Sequence, residues 1–430
     1  MNYLQTPLIY NLFPRLAGSC DRWGEHAARA VSMGFNWIYI NPVNAPGFSG
    51  SLYSTKEYEQ LNTAFVPPTA ASQSLDVLKP ALQHMVELGL HPMIDLVINH
   101  TAIDSPLIHR HPAWFQRDAD GQVINPCAVD PNDPTKKTVW GDLAIVDNEE
   151  SSDREGLWRY WTELVLHYLA LGFQGFRCDA AYQVPAKLWQ RLIQEARNVN
   201  PNAVFWAENL GCTVEQTRAL RAAGFQYFCN SSKWWNFQDD WCLAQHREFE
   251  DMPSISFPET HDTDRLAQET HGLEKIQRQR YAFATTFSAG IMMPIGYEFG
   301  FQKRLHVVET QPSDWESGTM ELQKFIHAVN DIKMNTPLLQ GEGTLNRLFV
   351  NHPSLLVLAR ESEHAPGQRG WIVLNRDWDH SAQLLIHELQ LDGKITWRDL
   401  TKADQHHPES HDGGFLEIQP AGVLFLSKTS

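Results

Sequence analysis

The chain is predicted to fold as a (β/α)8 TIM barrel, with an insertion after its third strand (β3–α3) and an antiparallel β-sandwich at its C-terminal end. Three observations lead there. Eight short apolar runs alternate with segments of helical period, the alternation lapses between 101 and 155, and from about 340 onward only strand-like runs remain.

The eight runs are "LIYNLF", "NWIYINPV", "HPMIDLVI", "GFQGFRCDA", "AVFWAEN", "FQYFCN", "SISFPET" and "GIMMPIG". Each is too short for a helix and bounded by turn-forming residues. Between them Leu75, Leu78, Leu82, Met85 and Val86 share one helical face, as do Leu157, Trp161, Leu164, Val165 and Tyr168. Ser152 and Glu155 have the spacing of a capping box for the second of these helices. Strands alternating with helices imply a parallel sheet, and eight is the number that closes a barrel. A doubly wound open sheet is the rival, but it would want a Gly-rich turn after its first strand, and "LFPRLAGS" supplies none.

About 55 residues, 101–155, are too many for an ordinary loop between strand and helix. Their composition, "HPAWFQRDADGQVINPCAVDPNDPTKK", reads as a lid or small subdomain beside the barrel mouth, with "DADG" as a turn rather than a calcium loop. After 339 come "SLLVLARES", "RGWIVLNR", "SAQLLIHEL", "KITWRDL" and "GFLEIQPAGVLFLS". The expected organisation is therefore a barrel at 1–100 and 156–338, an insertion at 101–155 and a β-domain at 339–430.

Composition narrows the partners. A net charge of −16 argues against nucleic acid or an anionic membrane surface, both of which need positive potential. No run approaches the roughly 18–20 apolar residues of a membrane span, and the N-terminal segment "MNYLQTPLIYNLFPRL" has no secretory pattern. Cys20, Cys127, Cys178, Cys212, Cys229 and Cys242 lack CxxC spacing, so they read as small core residues in a reducing cytoplasm. Fifteen Trp and twenty-one Phe are a mild hint of aromatic faces available to sugar rings. Oligomeric state is left open.

In such a barrel the reactive groups stand where strands end. Those ends carry Asp95, Asn99 and His100 after the third run, Arg177 and Asp179 after the fourth, Glu208 after the fifth, and Glu259, His261 and Asp262 after the seventh. One polar strand end is usually a solvated turn. Three carboxylates, Asp179, Glu208 and Asp262, brought to one mouth repel each other unless chemistry or a cation uses them. Arg177, two residues before Asp179, projects to the same side and would keep that carboxylate ionised. Glu208, following "VFWA", has apolar neighbours that would raise its pKa. An ionised carboxylate beside a protonated one is what a retaining glycosidase needs, with a third to stabilise the oxocarbenium-like transition state.

"DLVINH", "GFRCDAA", "FWAEN" and "FPETHD" resemble, in order and spacing, the four short motifs of the α-amylase superfamily, glycoside hydrolase family 13. The resemblance covers the barrel to about 335, and the family carries its own C-terminal sandwich after it. By position it implies Asp179 as nucleophile, Glu208 as acid/base and Asp262 as transition-state stabiliser. It further implies Arg177 holding the nucleophile, His100 and His261 as the subsite −1 histidines, Asp95 supporting them, and Tyr53 in "GSLYSTKEY" stacking under the sugar.

Four departures bear on what else the resemblance carries. Tyr182 and Gln183 stand where the second motif often has Lys-His, whose His carbonyl commonly helps hold calcium and whose Lys contacts the acceptor. Thr260 replaces the usual Asn before His-Asp, and Ser54 replaces the Asp after the stacking Tyr. Asn99 matches the first-motif calcium ligand, but one Asn is a poor site for a cation wanting 6–8 oxygens, so no cofactor is expected and Asn99 is the ligand only if calcium is present. "HPAWFQRDADGQ", "FRCDAAYQVPAKLWQRLI" and "FIHAVNDIKMNTPLLQ" resemble the maltosyltransferase branch. The expectation is a retaining enzyme acting on α-1,4-glucans or maltooligosaccharides by hydrolysis. The alternatives are transfer or phosphorolysis on the same scaffold and, further off, a non-catalytic sugar-binding barrel. A metal-dependent hydrolase would want a His pair on the first strand, which "LIYNLFPRL" lacks.

Overall fold

Eight parallel strands close on themselves in a computed structural model that describes residues 6–130, 133–389, 395–405, 408–411 and 414–428. The strands are β1 (Leu8–Leu12), β2 (Trp37–Ile40), β3 (His91–Leu96), β4 (Gly175–Cys178), β5 (Val204–Ala207), β6 (Tyr227–Cys229), β7 (Ser254–Ser256) and β8 (Gly290–Pro294). Each pairs with its sequence neighbours and β8 returns to β1, so no edge is left. Every one of the eight apolar runs contributes one strand.

Helices α1 (Trp23–Ser32), α2 (Lys79–Glu87), α3 (Arg154–Leu171), α4 (Ala186–Val199), α5 (Val214–Ala219), α6 (Trp241–Glu248), α7 (Glu274–Phe287) and α8 (Gln323–Asn335) follow the strands in turn. Period-two alternation divides each strand between two cores. Ile9, Trp37, Tyr39, Met93, Val204, Trp206, Ile255 and Met292 fill the barrel interior. Leu8, Ile38, Ile94, Phe176, Phe205, Phe228 and Ile291 face outward and belong to the larger core shared with the helices. Each such side chain contributes about 1.5–3 kcal/mol relative to exposure. Gly175 makes the interior possible at one point: a Cβ there would lie 2.8 Å from Trp37 Cζ3.

The two helical faces behave differently. In α3 all five expected residues are buried, but Ser152 does not cap it. Asp153 occupies the cap position, and its carboxylate accepts from Trp114 Nε1 at 2.8 Å instead. Pro80 lies in the first turn of α2, and Leu75 and Leu78 fall on a preceding 3-10 turn, Leu75–Leu78. That change of pitch leaves Val86 42% exposed, outside the face predicted for it.

The insertion pairs His100–Ala102 with Leu143–Ile145 and Cys127–Asp130 with Asp133–Val139, both antiparallel. Asp118 Oδ1 accepts the backbone N–H groups of Asp120 and Gln122, so "DADG" is a side-chain-closed turn. A second excursion follows β2, where Asn44–Pro46 pairs with Thr55–Leu61. Its polar "TKEYEQL" strand gave no hydrophobic signal in the sequence.

At the C-terminal end a six-stranded antiparallel sheet faces a two-stranded one, Ala382–Leu385 with Phe415–Ile418. Val357, Val373, Leu424 and Leu426 pack with Leu384, Leu416 and Ile418 between the sheets. The opposite face, through Leu356, Leu358, Ile372, Leu374 and Phe425, joins the barrel core. Arg360, buried at that junction, donates to the carbonyls of Leu338, Phe287 and Gly341. Lys333 likewise donates to those of Thr285, Ser288 and Leu339.

Among the described residues no helix is long and apolar enough to cross a membrane. All six cysteines are free; Cys127 is exposed and Cys212 half-buried, so only the other four behave as core residues.

Candidate active site

Phe176 and Cys178 point outward from β4, which turns Arg177 into the barrel, opposite Asp95 on β3. Nη1 donates to Asp95 Oδ1 and Oδ2 at 3.1 and 3.2 Å and to Asp179 Oδ1 at 2.6 Å. Nη2 stands 3.9 Å from Glu208 Oε2. A lone buried guanidinium would be costly, and the surrounding carboxylates offset that cost. Burial alone would lower the Arg177 pKa; Asp95 and its neighbours lift it well above the usual range.

Glu208 follows β5 with its side chain 11% exposed. Its oxygens accept the backbone N–H groups of Ala180 (2.9 Å) and Leu210 (2.6 Å). Burial pushes its carboxyl up to about 7, against the pull of Arg177. Asp179 and Glu208 thus share one guanidinium, but only Asp179 is bonded to it.

Asp262, beyond β7, keeps its side chain 62% exposed, with protein close around its carboxylate. That enclosure acts to raise its pKa, but His261, with Nε2 at 3.0 Å from Oδ2, outweighs it and the carboxyl settles at about 2. Thr260 Oγ1 accepts the Asp262 backbone N–H at 3.2 Å.

Tyr53 comes from the hairpin after β2. Its hydroxyl donates to Asp95 Oδ2 at 2.7 Å and lies 2.7 Å from His261 Nε2. Its ring is parallel to that of His261, 5.7 Å between centroids. His100 Nε2 lies 2.9 Å from the Tyr53 carbonyl, and burial lowers its pKa, favouring the neutral ring. All eight catalytic and substrate-binding positions expected from the sequence are therefore joined by direct contacts into one cluster.

Asn99 is set apart from it. Nδ2 donates to Gln183 Oε1 at 3.0 Å, and Oδ1 is buried without a partner. Nearby Asn148 is committed, donating to the Ile98 carbonyl and accepting from Trp161 Nε1. Among the described residues no three His, Cys, Asp or Glu side chains group to hold a metal. One amide oxygen does not fit a hard cation wanting 6–8 ligands.

Several members were not foreseen. Tyr39 donates to Asp95 Oδ2 at 2.6 Å, Asn41 donates to Tyr53 Oη at 3.0 Å, and Asn11 donates to Asn41 Oδ1 at 2.8 Å. Period two in "WIYIN" places Trp37, Tyr39 and Asn41 on one face, a signal that could have found two of them. Arg304 donates to the Asp262 carbonyl at 2.6 Å from a loop with no such pattern. Glu259, by contrast, is a structural anion, paired with Arg265 at 2.7 Å and accepting the Leu266 N–H.

Comparison with known proteins bears on this arrangement. The family model for the glucanotransferase domain of glycogen debranching enzyme matches residues 4–116. An α-1,4-glucan:maltose-1-phosphate maltosyltransferase from Burkholderia pseudomallei is 23% identical over 88% of the chain, and one from Mycolicibacterium smegmatis 24% over 82%. The chain spans 34% and 54% of the length of those relatives. Among solved structures, an α-amylase from Lactobacillus plantarum superposes with TM-score 0.76 at 20% identity, covering 98% of both chains. An α-amylase from Geobacillus thermoleovorans complexed with acarbose gives 0.75 at 15% identity, covering 99% of both.

The chain shares its barrel fold with these α-amylases and is similar in sequence to those maltosyltransferases.

The positions at which its motifs depart from the pattern they resemble have visible consequences. Gln183 turns back to Asn99, so the end of β3 and the turn after β4 are tied by side-chain amides. Tyr182 lies half-buried beside Gln183 Nε2, at 3.5 Å. Ser54 is buried beneath the Asp142 carbonyl rather than facing the mouth as a charge.

Proposed function

We propose that the chain is a retaining enzyme of α-1,4-glucans and maltooligosaccharides that works through a covalent glycosyl-enzyme. The observation that carries this reading is the unequal pair on one guanidinium: Asp179 bonded at 2.6 Å, Glu208 unbonded and lifted to about 7. Asp179 attacks the anomeric carbon while the Glu208 proton passes to the departing oxygen. The resulting Glu208 carboxylate then takes a proton from the incoming hydroxyl, whose oxygen displaces Asp179 with a second inversion. Asp262, ionised by its neighbours, grips sugar hydroxyls and stabilises positive charge at the ring. Asp95 and Tyr53 hold Arg177 and His261 in place, and the neutral His100 pins the Tyr53 loop.

Water is the expected acceptor, giving hydrolysis. A sugar acceptor is the second reading, favoured by the maltosyltransferase names of the relatives. A non-catalytic sugar-binding barrel would have no use for a nucleophile beside a proton donor. No metal is assigned in this reading, because among the described residues no three His, Cys, Asp or Glu side chains group around Asn99 to hold one. Six unpaired cysteines accord with a cytoplasmic location.

Incubation with maltooligosaccharides, with and without inorganic phosphate, separates the outcomes. Glucose and maltose mark hydrolysis, longer chains mark transfer, and sugar phosphate marks phosphorolysis. An α-configured first product is expected, and a β-configured one would overturn the retaining mechanism.

A further inference from the structure

Ala180, one residue beyond Asp179, has φ 40° and ψ 49°, a left-handed backbone in a residue that carries a Cβ. That conformation crowds the Cβ against the following carbonyl and persists only where the surroundings over-determine it. Here it aims the Ala180 N–H at Glu208 Oε2, 2.9 Å away. Ala181, next along, is fixed on both sides. Its N–H donates to the Glu208 carbonyl at 2.9 Å, and its carbonyl accepts from Trp189 Nε1 at 3.0 Å. Were Ala180 to relax to negative φ with Ala181 held, the peptide joining it to Asp179 would swing and withdraw the N–H from Glu208. Asp179 is restrained from its other side, its own N–H donating to the Leu96 carbonyl at 3.1 Å, so the swing falls on the Ala180 N–H.

What opposes that relaxation is the far end of the turn. The Gln183 N–H donates to the Ala180 carbonyl at 2.8 Å, closing the 3-10 turn Ala181–Gln183. Its side-chain Oε1 accepts from Asn99 Nδ2 at 3.0 Å, beyond the end of β3. Asn99 Oδ1 is buried without a partner among the described residues, a cost that an apolar side chain would not carry. The bond from the Asn99 nitrogen to Gln183 gives that amide its use. Among the described residues, Arg177 and Asp179 from β4, Tyr182 from the turn, Cys212 from the loop of Glu208 itself and Cys229 from β6 are the charged or titratable groups facing the Glu208 carboxyl. Of these, Tyr182 touches Gln183, and burial raises its pKa, so it stays neutral where Glu208 titrates.

We infer that Gln183 is a positioning residue: its clasp with Asn99 holds the left-handed turn at Ala180 that keeps a backbone N–H on the Glu208 carboxyl. This rests on the proposed retaining chemistry and adds the device that sets its proton donor. An N–H donor favours the ionised carboxylate, so losing it moves the titration of the acid upward.

The test follows kcat/KM for maltoheptaose against pH in the full chain, with the first turnover of α-maltosyl fluoride as the arm that needs no proton. Gln183→Ala should lower kcat for maltoheptaose about tenfold with KM within about twofold, and move the alkaline limb up by roughly 0.5–1 pH unit. Fluoride release should stay within about threefold of the unaltered chain. Asn99→Leu, which breaks the clasp from the other strand, should reproduce both results. Adding Ala180→Gly to Gln183→Ala should return the limb to within about 0.2 pH unit of its original place, because glycine holds a left-handed turn without a clasp. An unmoved limb in both clasp variants, or a moved one that Ala180→Gly does not restore, overturns the positioning role alone. An unaltered chain inert toward the fluoride overturns the retaining chemistry and the role with it.

Discussion

The Arg177 guanidinium bonds the Asp179 carboxylate at 2.6 Å across the two-residue step that separates them at the end of β4. The same group spans Asp95, buried on the neighbouring strand. Arg177→Met would leave two enclosed carboxylates without their counter-charge. The expected result is a loss of roughly 3–5 kcal/mol in urea unfolding at pH 7, together with loss of turnover. Arg177→Lys restores the charge but not the fork, and should recover stability better than activity.

Asp179→Asn is nearly isosteric and can still accept from Arg177. Turnover of maltooligosaccharides should fall on the order of 10⁴-fold or more, while circular dichroism and the unfolding midpoint stay close to those of the unaltered chain. Activity within tenfold of normal would remove Asp179 from the nucleophile's role.

The role proposed for Glu208 places it on the alkaline limb of the pH profile. Acting as proton donor with a pKa of about 7, it should make kcat/KM decline as pH rises through that value. The stability sign follows from the same shift. An unfolded Glu ionises near 4.3, so the folded state is progressively penalised as pH rises from there to about 7, and the penalty is complete above it. Glu208→Gln abolishes that penalty, so its melting temperature relative to the unaltered chain should increase between pH 4 and pH 8. A constant difference across that range would contradict the raised pKa.

Chelation probes the surroundings of Asn99. With its amide nitrogen bonded to Gln183 and no carboxylate set near it, dialysis against EDTA should leave activity and melting temperature unchanged, and added calcium should raise neither. A melting shift of several degrees would show oxygens assembled there that the donor set does not suggest.

The barrel was legible because its strands announce themselves twice, by apolar runs and by the helices between them. The clustering of the candidate site residues was legible because β4, β5 and β7 end in charge where a buried strand should not. What escaped was polar or local. The hairpin carrying Tyr53 buries Thr55, Tyr58 and Leu61 from an otherwise polar strand, so it has no apolar signature, and Asn11 and Asn41 are amides whose inward direction only strand register reveals. The cap of α3 was misplaced by one residue because Trp114 competes for Asp153, a contact across some 40 positions that no local pattern contains.

The Arg360 side chain reaches out of the C-terminal sheet and ends among carbonyls of the barrel's own helix ends. That sheet also lends one whole apolar face to the barrel core. Shortening the chain at the start of the β-domain would therefore not release a free-standing catalyst. It would strip the outer wall from the last two helices, and such a fragment should be recovered from inclusion bodies.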